Sequence, residues 1–428
     1  MTPSPLALPG VAAYVGGRFV SALGRSMLSV ALGWQLYERT HSAFALGLVG
    51  LVQVVPVVGL VVVAGATADR FPRKTVGALS FLVQALVAVG LALVSATAAP
   101  VGVIYGLLFV AGTASAFAGP AVSVLLPALA PTELLARANA WSSMSFHLAM
   151  TLGPAAAGFY LDATHDATPI YWACAVTAAA FAIILLCLPI ARGAVPERRP
   201  LRSRDLLAGL RFVFRCKELL GAITLDLFAV LLGGVTALMP VFAKDVLAVG
   251  PRGLGWLQAA PAIGAFLGGV VQTRLPAWKR AGHVLLLSVA GFGACTLGFG
   301  FSRSLPLSLA LLFTGGVFDS LSVVIRRTLE QVVTPDRLRG RVAAVHYVFI
   351  GLSNELGEFE SGTTAALLGP IGSVLLGGVG TLAVVLFARV RWPIIAQLGR
   401  LDRIRPREDL ALAIEGPPAD LPAPTSGG

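Results

Sequence analysis

The sequence predicts an all-α membrane protein in which twelve transmembrane helices form two six-helix parallel repeats. Three observations support this fold: an apolar composition, a one-sided distribution of basic residues and an internal repeat. Of the 428 residues, 56% are hydrophobic and 12% are charged, whereas soluble domains average about 25% charged residues. A soluble all-α protein of this composition would precipitate, so a lipid bilayer is its expected surrounding.

Twelve apolar runs, separated by charged residues or by Pro and Gly, predict the individual helices. Each is close to the roughly 20 residues that a helix needs to cross a bilayer. The runs are too long and too uniformly apolar for barrel strands, and helices satisfy their backbone groups internally. The predicted spans are residues 12–36, 44–65, 75–96, 101–123, 139–161, 169–190, 219–242, 253–273, 283–301, 305–325, 342–368 and 372–391.

The basic residues lie mainly on one side of the predicted bundle. If the connection at residues 66–74 is cytoplasmic, 26 of the 32 Lys and Arg fall in cytoplasmic segments. The external loops hold only Arg39, Lys244, Arg252 and Arg303. The positive-inside rule therefore predicts a multi-pass protein of the inner (cytoplasmic) membrane with both termini in the cytoplasm. The net charge of +11 then needs no nucleic-acid partner.

Other classes of protein are disfavoured by what the sequence lacks. The four cysteines, Cys174, Cys187, Cys216 and Cys295, have no metal-type spacing and predict no disulfide framework. No Walker motif, zinc pattern or catalytic triad is found, so we expect no metal, no cofactor and no enzymatic activity. The first apolar run lacks a basic leader and a cleavage site, which predicts a retained helix. We expect a monomer.

An internal repeat relates the two halves of the chain at an offset of 204 or 205 residues. The matching segments are residues 50–59 and 255–264, 131–137 and 335–341, and 152–158 and 356–362. Matches in register predict two parallel repeats related by an axis along the membrane normal. The predicted divisions are an N-terminal half (1–191), a basic cytoplasmic linker (192–217), a C-terminal half (218–400) and a disordered tail (401–428). Within the linker, residues 206–214 predict an interfacial amphipathic helix.

The segment between the second and third spans reads GATADRFPRK over residues 65–74. It resembles the G-x-x-x-D-R-x-G-R-[RK] signature of the major facilitator superfamily, with a proline in place of the second glycine. The resemblance implies a cytoplasmic gate formed by Gly65, Asp69, Arg70, Arg73 and Lys74. Asp69 would lie at a helix N-terminus of the other half, where an acid is favoured, or pair with Arg70 or Arg73. The alternative is a simple basic anchor at the membrane surface.

Further segments resemble the enterobactin-exporter and macrolide-efflux branch of that superfamily. They are GRSML at residues 24–28, PLRS at 200–203 followed by LAGLRF at 207–212, and TPDRLRGRV at 334–342. This resemblance implies export of a small molecule in exchange for protons. Gly153, Pro154 and Gly158 are similar to the G-P-x-x-G-G antiporter motif with one glycine of its final pair missing. Small residues and a proline at these positions serve either exchange or ordinary close packing.

Three carboxylates in the eleventh span, Glu355, Glu358 and Glu360, replace uncharged residues of the fifth span. Each charge at mid-bilayer costs at least about 2.5–3.5 kcal/mol, so the cluster needs a reason. Glu355 and Glu358 lie about 60° apart on a helix, whereas Glu360 faces elsewhere. Because burial and mutual repulsion favour protonation, we expect Glu358 or Glu355 to bind a coupling proton; the alternative is a structural role.

Other charged residues within the spans are Arg25, Asp226 and Asp319. Either aspartate, or a glutamate of span eleven, could neutralise Arg25. Glu360 and the two aspartates are further proton-coupling candidates, although Asp319 could instead pair with Arg326 or Arg327. The alternative for all three is a buried pair that fixes helix packing. The candidates for the substrate cavity are Arg25, Trp34, Gln35 and Asn354, and Trp34 could equally belong to the aromatic belt of the membrane interface.

These features predict a secondary active transporter with a small-molecule substrate and protons as its partners. The favoured function is export of an amphiphilic molecule, such as a siderophore or a macrolide, in exchange for protons by alternating access. The alternatives are a proton-coupled importer and a non-transporting or lipid-handling membrane protein. A protein without a transport cycle would not need carboxylates facing a cavity.

Overall fold

The computed structural model describes residues 4–97, 99–190, 203–274 and 278–415, but not the side chains of residues 62, 69, 203–206, 344, 347 and 415. Within these ranges the chain contains helices and no strand. The long helices are α1 (Pro9–Thr40), α2 (Ala43–Arg70), α3 (Arg73–Thr97), α4 (Val101–Val122), α5 (Thr132–Thr164), α6 (Thr168–Cys187), α7 (Lys217–Gly233), α8 (Gly250–Gln272), α9 (Ala281–Phe301), α10 (Leu305–Val333), and α11 and α12, which together occupy Asp336–Arg391.

Helical hydrogen bonding extends over Asp336–Arg391, but the backbone leaves the helical conformation at Gly369, where φ is 78° and ψ is 163°. This left-handed conformation favours glycine, and the following Pro370 has no N–H to extend the first helix. We therefore count residues 336–368 as α11 and residues 370–391 as α12. The all-α fold with twelve long helical segments is as predicted. Nine helices of the described chain, with α11 and α12 counted together as one, are long and apolar enough to cross a membrane, and the more polar α1 and α5 complete the twelve.

Two predicted spans differ from the structure for identifiable reasons. The predicted connection at 66–74 is mostly helical, since α2 continues to Arg70 and only residues 71–72 separate it from α3. Polar residues extend a helix beyond the lipid without breaking it. The predicted seventh span ends early, because α7 stops at Gly233. A short 3₁₀ turn, one helical turn and a π-helix (Phe242–Val246) then lead to α8.

The helices α1–α6 (the first half) and α7–α12 (the second half) meet at one end of the bundle. In the second half α7 packs on α11, α8 on α10 and α9 on α12; between halves α2 packs on α11 and α5 on α8. One buried cluster contains side chains of both halves around the α1–α2 and α7–α8 connections. At the opposite end the buried residues form separate clusters, one for each half. We call these the closed end and the open end.

The chain outside the bundle packs at the open end. A linker helix (Ser203–Arg215) buries Phe212 and Val213 against residues of α11, so its apolar face contacts protein rather than only the membrane surface. The tail was expected to be disordered from residue 401. Instead Leu401–Arg403 forms a 3₁₀ turn and Glu408–Glu415 a helix, held by salt bridges from Arg407 to Glu218 and from Arg337 to Glu408. Residues 191–202 of the predicted linker and 416–428 of the predicted tail lie outside the described residues.

Candidate functional site

The two halves touch through glycines at the crossing of α2 and α11. A Cβ on Gly50 would lie 2.5 Å from the carbonyl oxygen of Glu355 and 2.9 Å from the Cβ of Glu358. One turn away, a Cβ on Gly47 would lie 2.9 Å from the Cα of Gly362. Such separations leave no room for a side chain, so glycine permits this close approach. The crossing thereby brings two of the candidate carboxylates into the contact between halves.

The crossing of α5 and α8 repeats this arrangement on the other side of the bundle. A Cβ on Gly158 would lie 2.8 Å from the Cα of Gly255 and 2.7 Å from the carbonyl oxygen of Pro251. A Cβ on Gly255 would meet the carbonyl oxygen of Pro154 at 2.5 Å. Gly153 faces α1 instead, 3.0 Å from the carbonyl oxygen of Leu23 by the same construction. The segment at 153–158 therefore packs α5 against both α1 and α8.

Replacing Gly158 by leucine should open the closed end. The added side chain cannot fit against Gly255, and overpacking a tight contact costs about 1–3 kcal/mol. That cost is enough to shift the populations of two conformations by up to about two orders of magnitude. Spin labels at Ala163 and Ser304, which are exposed on opposite halves near this end, would report a longer distance distribution in a variant without the four native cysteines.

The matched control is Gly59→Leu, since nothing lies within 4 Å of a Cβ at that position. Its distance distribution should equal that of the unsubstituted protein. An unchanged distribution in Gly158→Leu, or an equal shift in Gly59→Leu, would contradict the tight-contact interpretation.

Polar side chains join the halves at the outer edge of the closed end, and we call them the closed-end clamp: Trp34, Tyr37, Glu38, Lys244 and Asp245. The Tyr37 hydroxyl donates a hydrogen bond to Asp245. Lys244 forms a salt bridge with Glu38 at 3.5 Å, and its Nζ lies 5.6 Å above the Trp34 ring. Trp34 and Tyr37 are buried, so the alternative of a lipid-facing aromatic belt is wrong for Trp34, which lies inside this contact.

The carboxylates of α11 lie in different surroundings. Glu355 is close enough to interact electrostatically with both Glu358 and Arg25 of α1, so charges from the two halves face each other there. Glu360 lies apart and accepts a hydrogen bond from Ser361 at 3.4 Å. This separation agrees with the helical angles expected from the sequence. Among the acids considered from the sequence, Glu355 thus lies near enough to Arg25 for electrostatic attraction.

The two aspartates lie inside the second half. Asp226 of α7 forms a buried salt bridge with Arg326 of α10, whose Nε also donates to the carbonyl oxygen of Ser322 at 3.3 Å. Asp226 and Asp319 line the same small cavity between α7, α9 and α10, about 10 Å³ in volume, which holds one water molecule at most. Asp226 therefore neutralises Arg326 rather than Arg25. Asp319 forms no salt bridge with Arg326, and none with Arg327 is seen within the described chain.

The remaining cavity candidates separate into two groups. Gln35 donates to Ser95 at 2.5 Å and accepts from the Tyr171 hydroxyl at 2.8 Å. Both ends of its amide are therefore engaged among α1, α3 and α6 in this conformation, and contact of Gln35 with a substrate stays a prediction. Asn354 and Arg25 are exposed, so both remain accessible for a ligand between the halves.

The polar segment at 65–74 lies at the open end. Arg73 donates to the carbonyl oxygen of Ala68 at 3.2 Å, Arg70 lies 6.0 Å from the Phe71 ring centre, and Lys74 reaches the carbonyl oxygen of Leu186 at 3.4 Å. These contacts are all within the first half. Gly65 has open space around it, and the side chain of Asp69 lies outside the described residues. These contacts therefore do not connect the predicted gate to the second half.

Sequence reasoning missed two polar pairs. One is Tyr37 with Asp245 in the clamp, and the other is a buried pair of Glu330 in α10 with His346 in α11. A signal for the second pair was present in the sequence: Glu330 lies in the connection between two predicted spans, and His346 lies at the start of the span that follows. The first pair joins residues 208 positions apart, which no local pattern reveals.

Comparison with known proteins identifies a family and sequence relatives for this chain. The chain matches the Major Facilitator Superfamily over residues 15–358. The enterobactin exporter EntS of Escherichia coli is 28% identical over 379 residues, covering 88% of this chain and 90% of the relative. EntS of Shigella boydii gives the same values.

Solved structures of low sequence identity share the fold. A bacterial homologue of the human lysosomal transporter Spinster, in an inward-facing and unoccupied conformation, superposes with a TM-score of 0.67 at 15% identity, covering 92% of this chain and 97% of that chain. A POT family transporter bound to a thioalcohol-conjugated peptide has a TM-score of 0.70 at 12% identity, covering 90% and 96%. At such identities the similarity establishes the fold alone.

Proposed function

The chain belongs to the Major Facilitator Superfamily and is a multi-pass membrane transporter. From this membership we propose that the protein exports a small amphiphilic molecule in exchange for protons. The enterobactin exporter as a full-length relative supports the direction of transport and a siderophore-like or macrolide-like substrate. The observation that carries the proton exchange is the group of Arg25, Glu355 and Glu358 beside the crossing of α2 and α11.

The orientation follows from the distribution of charge. The open end carries the start of α1, the linker helix, the helix Glu408–Glu415 and the basic connections, and basic loops remain on the cytoplasmic side of a membrane. We therefore assign the open end to the cytoplasm. The conformation described here is then open to the cytoplasm and closed to the outside, and the closed-end clamp together with the two glycine crossings forms the external barrier.

Proton binding is coupled to this barrier by electrostatics. Arg25 can offset the charge of one nearby carboxylate, but two ionised carboxylates at a dry contact repel each other and lose hydration. The second carboxylate therefore carries a proton while the crossing of α2 and α11 is closed. A substrate that binds beside Arg25 from the cytoplasmic side changes this balance and favours release of the proton. Substrate and proton then alternate at one place, as exchange requires.

The direction and the coupling can be tested in everted inner-membrane vesicles that contain the overproduced protein. Respiration acidifies the vesicle interior, so an exporter that exchanges protons accumulates added enterobactin or a macrolide inside. Accumulation should exceed that of vesicles without the protein and should collapse when nigericin dissipates the pH gradient. Depletion of preloaded substrate would instead establish a proton-coupled importer. Accumulation that survives nigericin and valinomycin together, which dissipate both the pH gradient and the membrane potential, would retain export and reject proton exchange.

A further inference from the structure

A basic pocket lies on the second half at the open end, away from the contact between halves. Its lining residues are Lys279, Gly399, Arg400, Arg403 and Ile404, and its volume is about 600 Å³. Ligand pockets commonly measure about 300–1,000 Å³. The pocket is held between the start of α9 and the segment that follows α12.

Backbone hydrogen bonds fix the two walls of the basic pocket. The amides of Ala281 and Gly282 donate to the carbonyl oxygens of Gly399 and Leu398, at 3.2 and 3.1 Å. These bonds occupy the first N–H groups of α9, so a ligand must be bound by the side chains. The positive end of the helix dipole still adds favourable potential for an anion at this position. The two hydrogen bonds therefore hold the start of α9 against the segment that follows α12.

The charges of the basic pocket are only partly compensated. Arg400 is held by Asp402 through two hydrogen bonds of 3.1 and 2.8 Å. Lys279 and Arg403 form no salt bridge and no side-chain hydrogen bond within the described part of the chain, and Asp402 influences Arg403 only through the longer-range electrostatic attraction. Two positive charges thus remain available on opposite walls, which suits a phosphate group.

The surroundings of the basic pocket indicate a lipid. The pocket lies where α9 begins and α12 ends, which is the level of the lipid headgroups if these helices cross the membrane. The adjacent surfaces of α9 and α12 expose large apolar side chains, among them Leu287, Leu386, Phe387 and Val390. Trp392 stands at the boundary, with Arg391 5.7 Å from its ring centre, as is typical of a membrane interface. A phosphate in the pocket would therefore have acyl chains beside an apolar wall.

We propose that Lys279, Arg400 and Arg403 bind the phosphate of an anionic phospholipid from the cytoplasmic leaflet. The net positive charge selects an anionic headgroup, because the amine of a zwitterionic headgroup would be repelled. A bound lipid connects the start of α9 with the segment after α12 and so stabilises the second half. The proposal does not depend on the transported substrate or on proton exchange.

The test is native mass spectrometry of the delipidated full-length protein, titrated separately with phosphatidylglycerol, phosphatidylethanolamine and free glycerol phosphate. Phosphatidylglycerol should bind most tightly, and the double variant Lys279→Gln/Arg403→Gln should bind it about 25-fold more weakly, since each base near an anionic headgroup contributes about fivefold. Asp402→Asn releases Arg400 and should strengthen binding. The control is Arg211→Gln/Arg215→Gln, which removes two exposed arginines of the linker helix and should leave the affinity unchanged.

Three results would overturn the proposal. The first is equal affinity for phosphatidylglycerol in the Lys279→Gln/Arg403→Gln variant and the unsubstituted protein. The second is equal binding of phosphatidylethanolamine and phosphatidylglycerol. The third is glycerol phosphate binding as tightly as the lipid, which would assign the pocket to a soluble phosphate. Equal thermal unfolding of both double variants without lipid confirms that any loss of binding is local.

Discussion

Replacing Glu355 or Glu358 by glutamine will abolish transport driven by a pH gradient and leave the protein folded. Glutamine has the shape of a protonated glutamate but cannot release a proton, so exchange stops at the contact between α2 and α11. Glutamine at either half-buried position replaces a carboxyl group that would otherwise repel its neighbour when ionised, so the substitution should not destabilise the fold. The measurement is accumulation of substrate in everted vesicles, compared with exchange of internal for external substrate at equal pH, which needs no net proton movement and should persist.

Glu360→Gln is the matched control for both substitutions. It lies on the same helix and is partly exposed, but its carboxylate is bound by Ser361 and lies apart from Arg25 and the other two glutamates. It should retain gradient-driven transport. Full gradient-driven transport in both Glu355→Gln and Glu358→Gln would refute the coupling site, and loss in Glu360→Gln alone would move the site to the other face of α11.

A separate substitution tests the role of Arg25 in gradient-driven transport. Arg25→Gln removes the charge that offsets one carboxylate, so both glutamates then favour protonation. Gradient-driven transport should fall and its optimum should move to higher external pH, because a more alkaline solution is needed to release the proton. The same substitution would leave the pH optimum unchanged if Arg25 only packed against neighbouring helices.

The elements of the fold were predictable because apolar runs of sufficient length have few other structures in lipid. Their ends were less predictable, since helices such as α2 continue through polar residues once they leave the bilayer. The break after α7 was missed because Gly233 and Gly234 in an apolar run resemble the small residues of any transmembrane helix. The helix at Glu408–Glu415 was missed because its contacts to Glu218 and Arg337 depend on residues distant in the sequence.

The sequence predicted which charged residues belong to the candidate site, but it did not predict which of them lie next to each other. The cost of a buried carboxylate identifies Glu355 and Glu358 from sequence alone. The repeat identifies Gly50 and Gly255 as equivalent, but it does not reveal that each contacts the opposite half. Arg25 had several acids within plausible reach, and only the folded chain shows that Asp226 pairs with Arg326 whereas Glu355 lies near Arg25. Which charged side chains form a pair depends on their distance in the folded protein, and the sequence alone does not give that distance.

The buried salt bridge between Asp226 and Arg326 should dominate the stability of the second half. Asp226→Asn leaves the Arg326 guanidinium buried without its carboxylate, which costs about 3–5 kcal/mol in the free energy of unfolding. Both side chains are almost inaccessible, at 11% and 6% exposure, so water cannot replace the lost partner. The measurement is unfolding in mixed micelles titrated with SDS and followed by tryptophan fluorescence.

The double variant Asp226→Asn/Arg326→Gln removes both charges and should recover most of the lost stability, because breaking a buried pair is costlier than removing it. The exposed pair of Arg400 and Asp402 is the control: Asp402→Asn should leave the free energy of unfolding nearly unchanged, because water screens the interaction of an exposed pair. A double variant no more stable than Asp226→Asn would show that the loss arises from packing rather than from an uncompensated charge. Loss of gradient-driven transport in a double variant of native stability would instead make Asp226 part of the proton site, because stability and transport are then separated.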